Sequence, residues 1–178
     1  PFDINAEEIV NDKIGKITKN SNIKVHTNTE LEDVKGYIGN YKVKLTSNGK
    51  TKEIKTSTII TATGMNEIEP VGLFGFGEFP NIVTQLQLDE KLKSKSLGKV
   101  KNVAIINCVN SRNEKRGCCN IGCLAAIKNT VSIKELNKDA KVYIFYRDIN
   151  IEGEDVNYFK DAVQRYDIKL IRYPDDKQ

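Results

Sequence analysis

All four cysteines of this 178-residue chain fall in one sixteen-residue window, within the stretch CVNSRNEKRGCCNIGCLAA that runs from residue 108 to 126. Their spacing is C-x9-C-C-x3-C, formed by Cys108, Cys118, Cys119 and Cys123. Thiolates bind iron–sulfur clusters and zinc, and four is the usual complement for either. The surroundings favour the thiolate form. Arg112, Lys115 and Arg116 bring positive charge. The pattern also predicts Cys119 and Cys123 in the first turn of a helix, whose dipole stabilises anions. A lone cysteine is most often a small buried hydrophobe, but that explains four in one polar loop poorly. Zinc and a redox disulfide stay open beside iron–sulfur, although the paired C-x2-C knuckles usual for zinc are absent.

Regular elements must position this loop. The apolar run Val103-Ala104-Ile105-Ile106 ends just before Cys108, within a strand predicted over 100–107. After the loop the pattern predicts a helix over 119–136, a strand over 141–146, a helix over 155–166 and a strand over 168–173. Such β-α-β-α-β alternation means a parallel sheet with right-handed crossovers. In a dinucleotide-binding fold, the corner after the first strand carries a glycine loop that grips a pyrophosphate. Here it carries thiols.

Earlier in the chain, Asn5 and Glu8 form a capping-box pattern, and Ala6, Ile9, Val10, Ile14 and Ile17 fall on one helical face until 20–22. Short strand patterns follow over 23–27, 30–38, 41–46, 50–55 and 57–62. Tyr41, Val43 and Leu45 alternate with polar residues, and Asn48-Gly49 is a hairpin turn signal. The result is a β-meander returning into a buried strand. Residues 65–98 form an irregular connection, with a short helix over 85–93. Gly75-x-Gly77 lies there without a preceding strand or a third glycine, so it is a loop rather than a phosphate grip.

Outside the cysteines, Thr61-Ala62-Thr63-Gly64 follows the apolar strand 58–60, and such a turn lets backbone approach a ligand closely. With a meander directly before it, the order is that of flavoproteins with two dinucleotide domains. Thr63 and Gly64 are therefore the flavin-proximal candidates. His26, the only histidine, reads as a strand surface residue. Arg147, just past a strand, reads as a surface or inter-subunit contact. No Ser–His–Asp grouping or paired-carboxylate signature is present.

The net charge of +4 is modest, and lysines are spread along the chain, which disfavours nucleic acid or a membrane surface as partner. No apolar run approaches the roughly 20 residues of a membrane span. No signal peptide is visible. Clustered rather than dispersed cysteines point to a reducing, cytoplasmic setting. The chain opens with Pro1-Phe2-Asp3 instead of Met, as a piece of a longer protein would.

Cys108-Val109-Asn110-Ser111-Arg112-Asn113-Glu114-Lys115-Arg116-Gly117 resembles the C-V-G-S-R-D-E-K-R-G stretch found in the A subunit of the heterodisulfide reductase family. Cys119-x3-Cys123, followed by Ala125-Ala126-Ile127-Lys128-Asn129, is similar to the next family stretch. Further family stretches are matched in order by residues 36–41, 62–64, 79–84 and 143–149. The resemblance implies an FAD-containing, thioredoxin-reductase-like core with iron–sulfur clusters, relaying electrons between flavin and partner redox subunits. It also implies that Cys108, Cys118, Cys119 and Cys123 hold a cluster, of the 4Fe-4S type, in place of a nucleotide loop.

This chain departs from the family pattern in several places. Leu124 stands where the family has a second adjacent cysteine, and Cys118 takes the place of a usual aromatic. Two residues are deleted before Cys119, and Asn110 replaces a glycine. The family's amino-terminal flavin fingerprint and its ferredoxin-type cysteine runs have no counterpart in this sequence. The expectation is a partial flavoprotein, α/β throughout. Residues 1–64 form the helix, meander and closing strand of a flavin-type domain, 65–98 a connection, and 99–178 an incomplete Rossmann-like domain. The parent chain would be an oxidoreductase component, with the isolated piece inactive and a weak FAD binder. The competing expectation is a non-catalytic interaction module with structural zinc or free thiols.

Overall fold

Alternating apolar residues and tight turns shape the first sheet. In the computed structural model, which describes residues 6–174, its strands are β1 (Thr29–Tyr37), β2 (Asn40–Ser47) and β3 (Lys50–Thr56). They run antiparallel in the order β1-β2-β3. Asn48 and Gly49 both take positive φ, 49° and 73°, so Ser47 and Lys50 pair across the two-residue hairpin that the sequence predicts. At Gly36, φ is +105°, and an added Cβ would stand 2.1 Å from the backbone oxygen of Asn40. Only glycine fits there. A bulge between Leu31 and Asp33 sets Glu32 apart from the ladder, and its carboxylate pairs with Lys44 at 2.6 Å. Val43 is buried between its cross-strand neighbours Val34 and Ile54.

Before this sheet lies α1 (Ala6–Thr18), while Asn5 of the expected capping box is outside the described residues. The helix stops at Thr18, whose hydroxyl donates back to the Ile14 carbonyl at 2.9 Å. Two expected strands are absent. Residues 23–27 and 57–62 pair with no neighbouring strand and are exposed, with Ile60 87% exposed. Strand-like composition does not make a strand without a ladder partner. The closing strand expected over 57–62 is therefore neither paired nor buried.

Two compact units divide the chain, one through Met65 and the other from Asn66. The second holds α2 (Gln85–Lys93), β4 (Asn102–Ile106), α3 (Gly122–Leu136), β5 (Lys141–Tyr146), α4 (Asp155–Arg165) and β6 (Lys169–Arg172). Strands β4, β5 and β6 pair in parallel in that order, so the expected β-α-β-α-β run is present and the fold is mixed α/β with a partial Rossmann-like portion. Thr84 caps α2 in a reciprocal box with Gln87. Helix α3 packs against both α2 and α4. Its Ala126, Ile127 and Ile133 are fully buried in one core with Val142 and Ile144 of β5. Because strand side chains alternate, Ala104 of β4 and Ile171 of β6 lie on the other face, where both are exposed. No helix among the described residues is long and apolar enough to cross a membrane.

Candidate functional site

The cysteine loop leaves β4 at the carboxyl edge of the parallel sheet. Its backbone winds tightly there: Cys108, Asn110 and Arg112 all take positive φ, at 64°, 51° and 55°. Asn tolerates this left-handed geometry better than most residues, which is how it stands where the resembled stretch has glycine. Asn113 and Arg116 close a small turn, with the Asn113 side chain accepting from the Lys115 and Arg116 backbone amides at 3.0 and 3.1 Å. Asn120, again left-handed at φ 58°, breaks the chain just before the helix.

That break moves Cys119 out of the first helical turn where the sequence placed it. Helix α3 starts at Gly122, and its N-cap, Ile121, has no side chain able to accept a hydrogen bond. The Cys119 sulfur does so instead, taking the Gly122 amide at 3.3 Å. A Cβ on Gly122 would stand 3.1 Å from that sulfur, tighter than ordinary contact. Cys123, inside the first turn, is buried and its thiol donates to the Asp148 carbonyl at 3.7 Å. Cys119 is exposed, whereas Cys108 and Cys118 are half-buried.

The four sulfurs differ in their electrostatic surroundings. Cys118 accepts from the Asn120 amide at 3.4 Å and from the Asn150 side-chain amide at 3.5 Å. The Asn120 amide first, then Asn150 and Arg112, hold its pKa below the usual thiol value. Burial pushes the Cys108 and Cys123 thiols up. Charge on Cys118 or Cys119 raises both further, so the sulfurs share one neighbourhood. Among the described residues, however, no three His, Cys, Asp or Glu side chains stand where together they would hold a metal ion. The donor set suits a thiolate-ligated centre: four sulfurs, amide N–H donors aimed at those of Cys108, Cys118 and Cys119, and the Arg112 guanidinium alongside.

Arg147 corrects the sequence reading. It is 4% exposed, and its guanidinium donates to the Arg112 carbonyl at 3.0 Å and lies 5.6 Å from the Tyr173 ring centre. It is an internal brace of the loop rather than a surface contact. Asp148, paired with Arg112 at 3.2 Å, and Asn150 were not picked out from sequence. Their signal is topological: parallel neighbours β4 and β5 end at the same sheet edge, so the residues after Tyr146 must adjoin the cysteine loop. In the first unit, Thr63 and Gly64 are exposed, with Gly64 at φ +72° and open space where a Cβ would point. His26 is exposed but lies in no strand. Arg116 donates to the Asn110 carbonyl at 3.5 Å, within the loop's own turn.

No protein-family model matches the chain. Curated proteins do. The chain is 34% identical over 137 residues to the A subunit of the H(2):CoB-CoM heterodisulfide,ferredoxin reductase of Methanothermobacter marburgensis. It is 35% identical over 136 residues to the A subunit of the H(2)/formate:CoB-CoM heterodisulfide,ferredoxin reductase of Methanococcus maripaludis. The iron-sulfur A subunit of the CoB--CoM heterodisulfide reductase of Methanocaldococcus jannaschii is 32% identical over 137 residues. Each match covers 67% of this chain and 21% of the relative, so the chain spans about a fifth of the length of these proteins.

Proposed function

The chain is related to a segment of the A subunit of heterodisulfide reductase, an oxidoreductase, and from that premise we propose that it is the cluster-bearing part of an iron–sulfur flavoprotein. Cys108, Cys118, Cys119 and Cys123 would hold the cluster, of the 4Fe-4S type, and FAD would sit elsewhere in a longer parent near Thr63 and Gly64. Bound there, a cluster supplies one-electron transfer, so the parent would relay electrons between FAD and partner redox subunits in the cytoplasm. In this reading residues 1–64 contribute to a flavin-type domain, 65–98 connect, and 99–178 form the cluster-bearing Rossmann-like part. The observation that carries it is the set of N–H donors on the Cys118 and Cys119 sulfurs, beside Arg112, at the corner where a nucleotide loop would otherwise lie. Such donors stabilise sulfur that bears negative charge.

Among the described residues no three of these side chains stand together as a metal site, so ligation requires the four sulfurs to converge on one cluster. Anaerobic incubation with ferrous iron and sulfide should give bound iron, acid-labile sulfide and a broad visible absorbance. Changing Cys108, Cys119 or Cys123 to Ala should abolish all three signals. Full retention in Cys118→Ala would remove Cys118 from the ligand set. One zinc per chain, or thiols that take up no metal, would favour a non-catalytic interaction module instead.

A further inference from the structure

Three of the four cysteines are contacted from one short stretch, residues 147–150, just after β5. The Arg147 backbone amide reaches the Cys108 sulfur. Asp148 accepts the Cys123 thiol on its carbonyl and holds Arg112 on its carboxylate. Asn150 donates its side-chain amide to the Cys118 sulfur at 3.5 Å and to the Asn120 side-chain oxygen at 2.7 Å. The same stretch grips the loop's backbone, through the buried Arg147 guanidinium on the Ser111 and Arg112 carbonyls at 3.5 and 3.0 Å. That guanidinium is in turn set by the Tyr173 ring, and Arg172 donates to the Arg147 carbonyl at 3.0 Å.

We propose that residues 147–150 are the positioning element of the cysteine site, with Arg147 fixing the loop's path and Asn150 setting the electron density on the Cys118 sulfur. The inference rests on the cluster reading above and adds residues to it. The physical basis is twofold. Parallel pairing of β4 with β5, continued by the Asn107 amide on the Phe145 carbonyl at 2.8 Å, delivers both chains to one edge in fixed register. An N–H donor on a ligand sulfur then withdraws negative charge from it, which favours the reduced cluster, while a nearby carboxylate does the reverse. Asn150 is therefore a potential-setting residue, and Arg147 is a brace that acts through the loop backbone.

The test uses the 178-residue chain, loaded anaerobically with ferrous iron and sulfide, and its Asn150→Leu and Asn150→Asp variants. Circular dichroism should show the same helix content in all three. Redox titration should place the midpoint potential of both variants below that of the unaltered chain, with Asn150→Asp the lower. In the metal-free chain, Arg147→Lys should speed amide hydrogen exchange over residues 108–117 by roughly tenfold, as loss of a well-aligned charged donor does. No iron uptake by the unaltered chain overturns the proposed function and this inference with it. Uptake with a potential that neither Asn150 variant moves overturns this inference alone, as does unchanged exchange in Arg147→Lys.

Discussion

In the unit through Met65, Ile9, Val10, Ile14 and Ile17 of α1 are each exposed, and no residue of that helix is buried. In the unit from Asn66, Ile127 and Ile133 of α3 are fully buried against Val142 and Ile144 of β5. Both helices carry apolar periodicity, yet only one meets an opposing apolar surface within its own unit. The sheets differ in the same way. Antiparallel hairpins close locally through turns and ladder hydrogen bonds, so β1 to β3 form with Val43 as the one buried residue among those described in their unit. Parallel strands need a crossover between each pair, so β4 to β6 bring the helices that cover one of their faces. A self-sufficient core comes with the second topology and not with the first.

The largest test of this contrast is truncation of the two helix faces. Ile127→Ala should cost about 2–5 kcal/mol in chemical denaturation, because a fully buried side chain leaves a cavity. Ile14→Ala should cost below about 1 kcal/mol, as exposed positions do. Equal losses would mean that α1 is buried as firmly as α3. A second substitution targets the turn-built sheet. Gly36→Ala combines left-handed backbone with a Cβ driven into the Asn40 carbonyl, a cost of about 1–3 kcal/mol. Hydrogen exchange should then rise across β1 and β2 while β4 and β5 keep their protection. Loss of protection in the parallel sheet as well would break the distinction between the two regions.

The smallest effect compares ion pairs. Asp89 of α2 holds Lys128 of α3 at 2.5 Å and Lys93 at 2.6 Å, with its side chain 16% exposed. Burial acts to raise its carboxyl pKa, but the two ammonium groups outweigh burial and hold it below the ordinary value of 3.8. A depressed folded pKa means the stabilisation is complete above the unfolded value and fades as pH falls through the folded one. Asp89→Asn should therefore cost about 1 kcal/mol at neutral pH and nothing in strong acid. The Glu32–Lys44 pair of the first unit is solvent-exposed, and Glu32→Gln should show a smaller change that added salt erases. A salt-insensitive loss at Glu32 would contradict its exposed setting.

Where one stretch of residues carried its own instruction, the sequence was enough. Asn48-Gly49 specified a hairpin because both positions need positive φ, and the structure has it there. The short helix over 85–93 and the strand β5 were legible from pattern alone, and the structure adds the Thr84–Gln87 box that caps α2. The α/β class followed from the order of elements. The clustering of four thiols in one loop after a strand was equally plain, because proximity in sequence forces proximity in space over so few residues.

Matters that depend on a distant partner were decided only by the tertiary structure. Residues 57–62 have strand composition, but a strand exists only beside another, and no described strand pairs with them. The start of α3 shifted past Cys119 because Asn120 turns left-handed and the sulfur itself receives the first helical amide. Burial of Arg147, and the reach of Asn150 to Cys118 across 32 residues of chain, come from two parallel strands ending at one edge. The sequence by itself determined which residue types stand in the loop. Strand pairing decided which groups surround each sulfur, because hydrogen bonds to sulfur depend on where β5 delivers its carboxyl end and not on any local pattern around the cysteines.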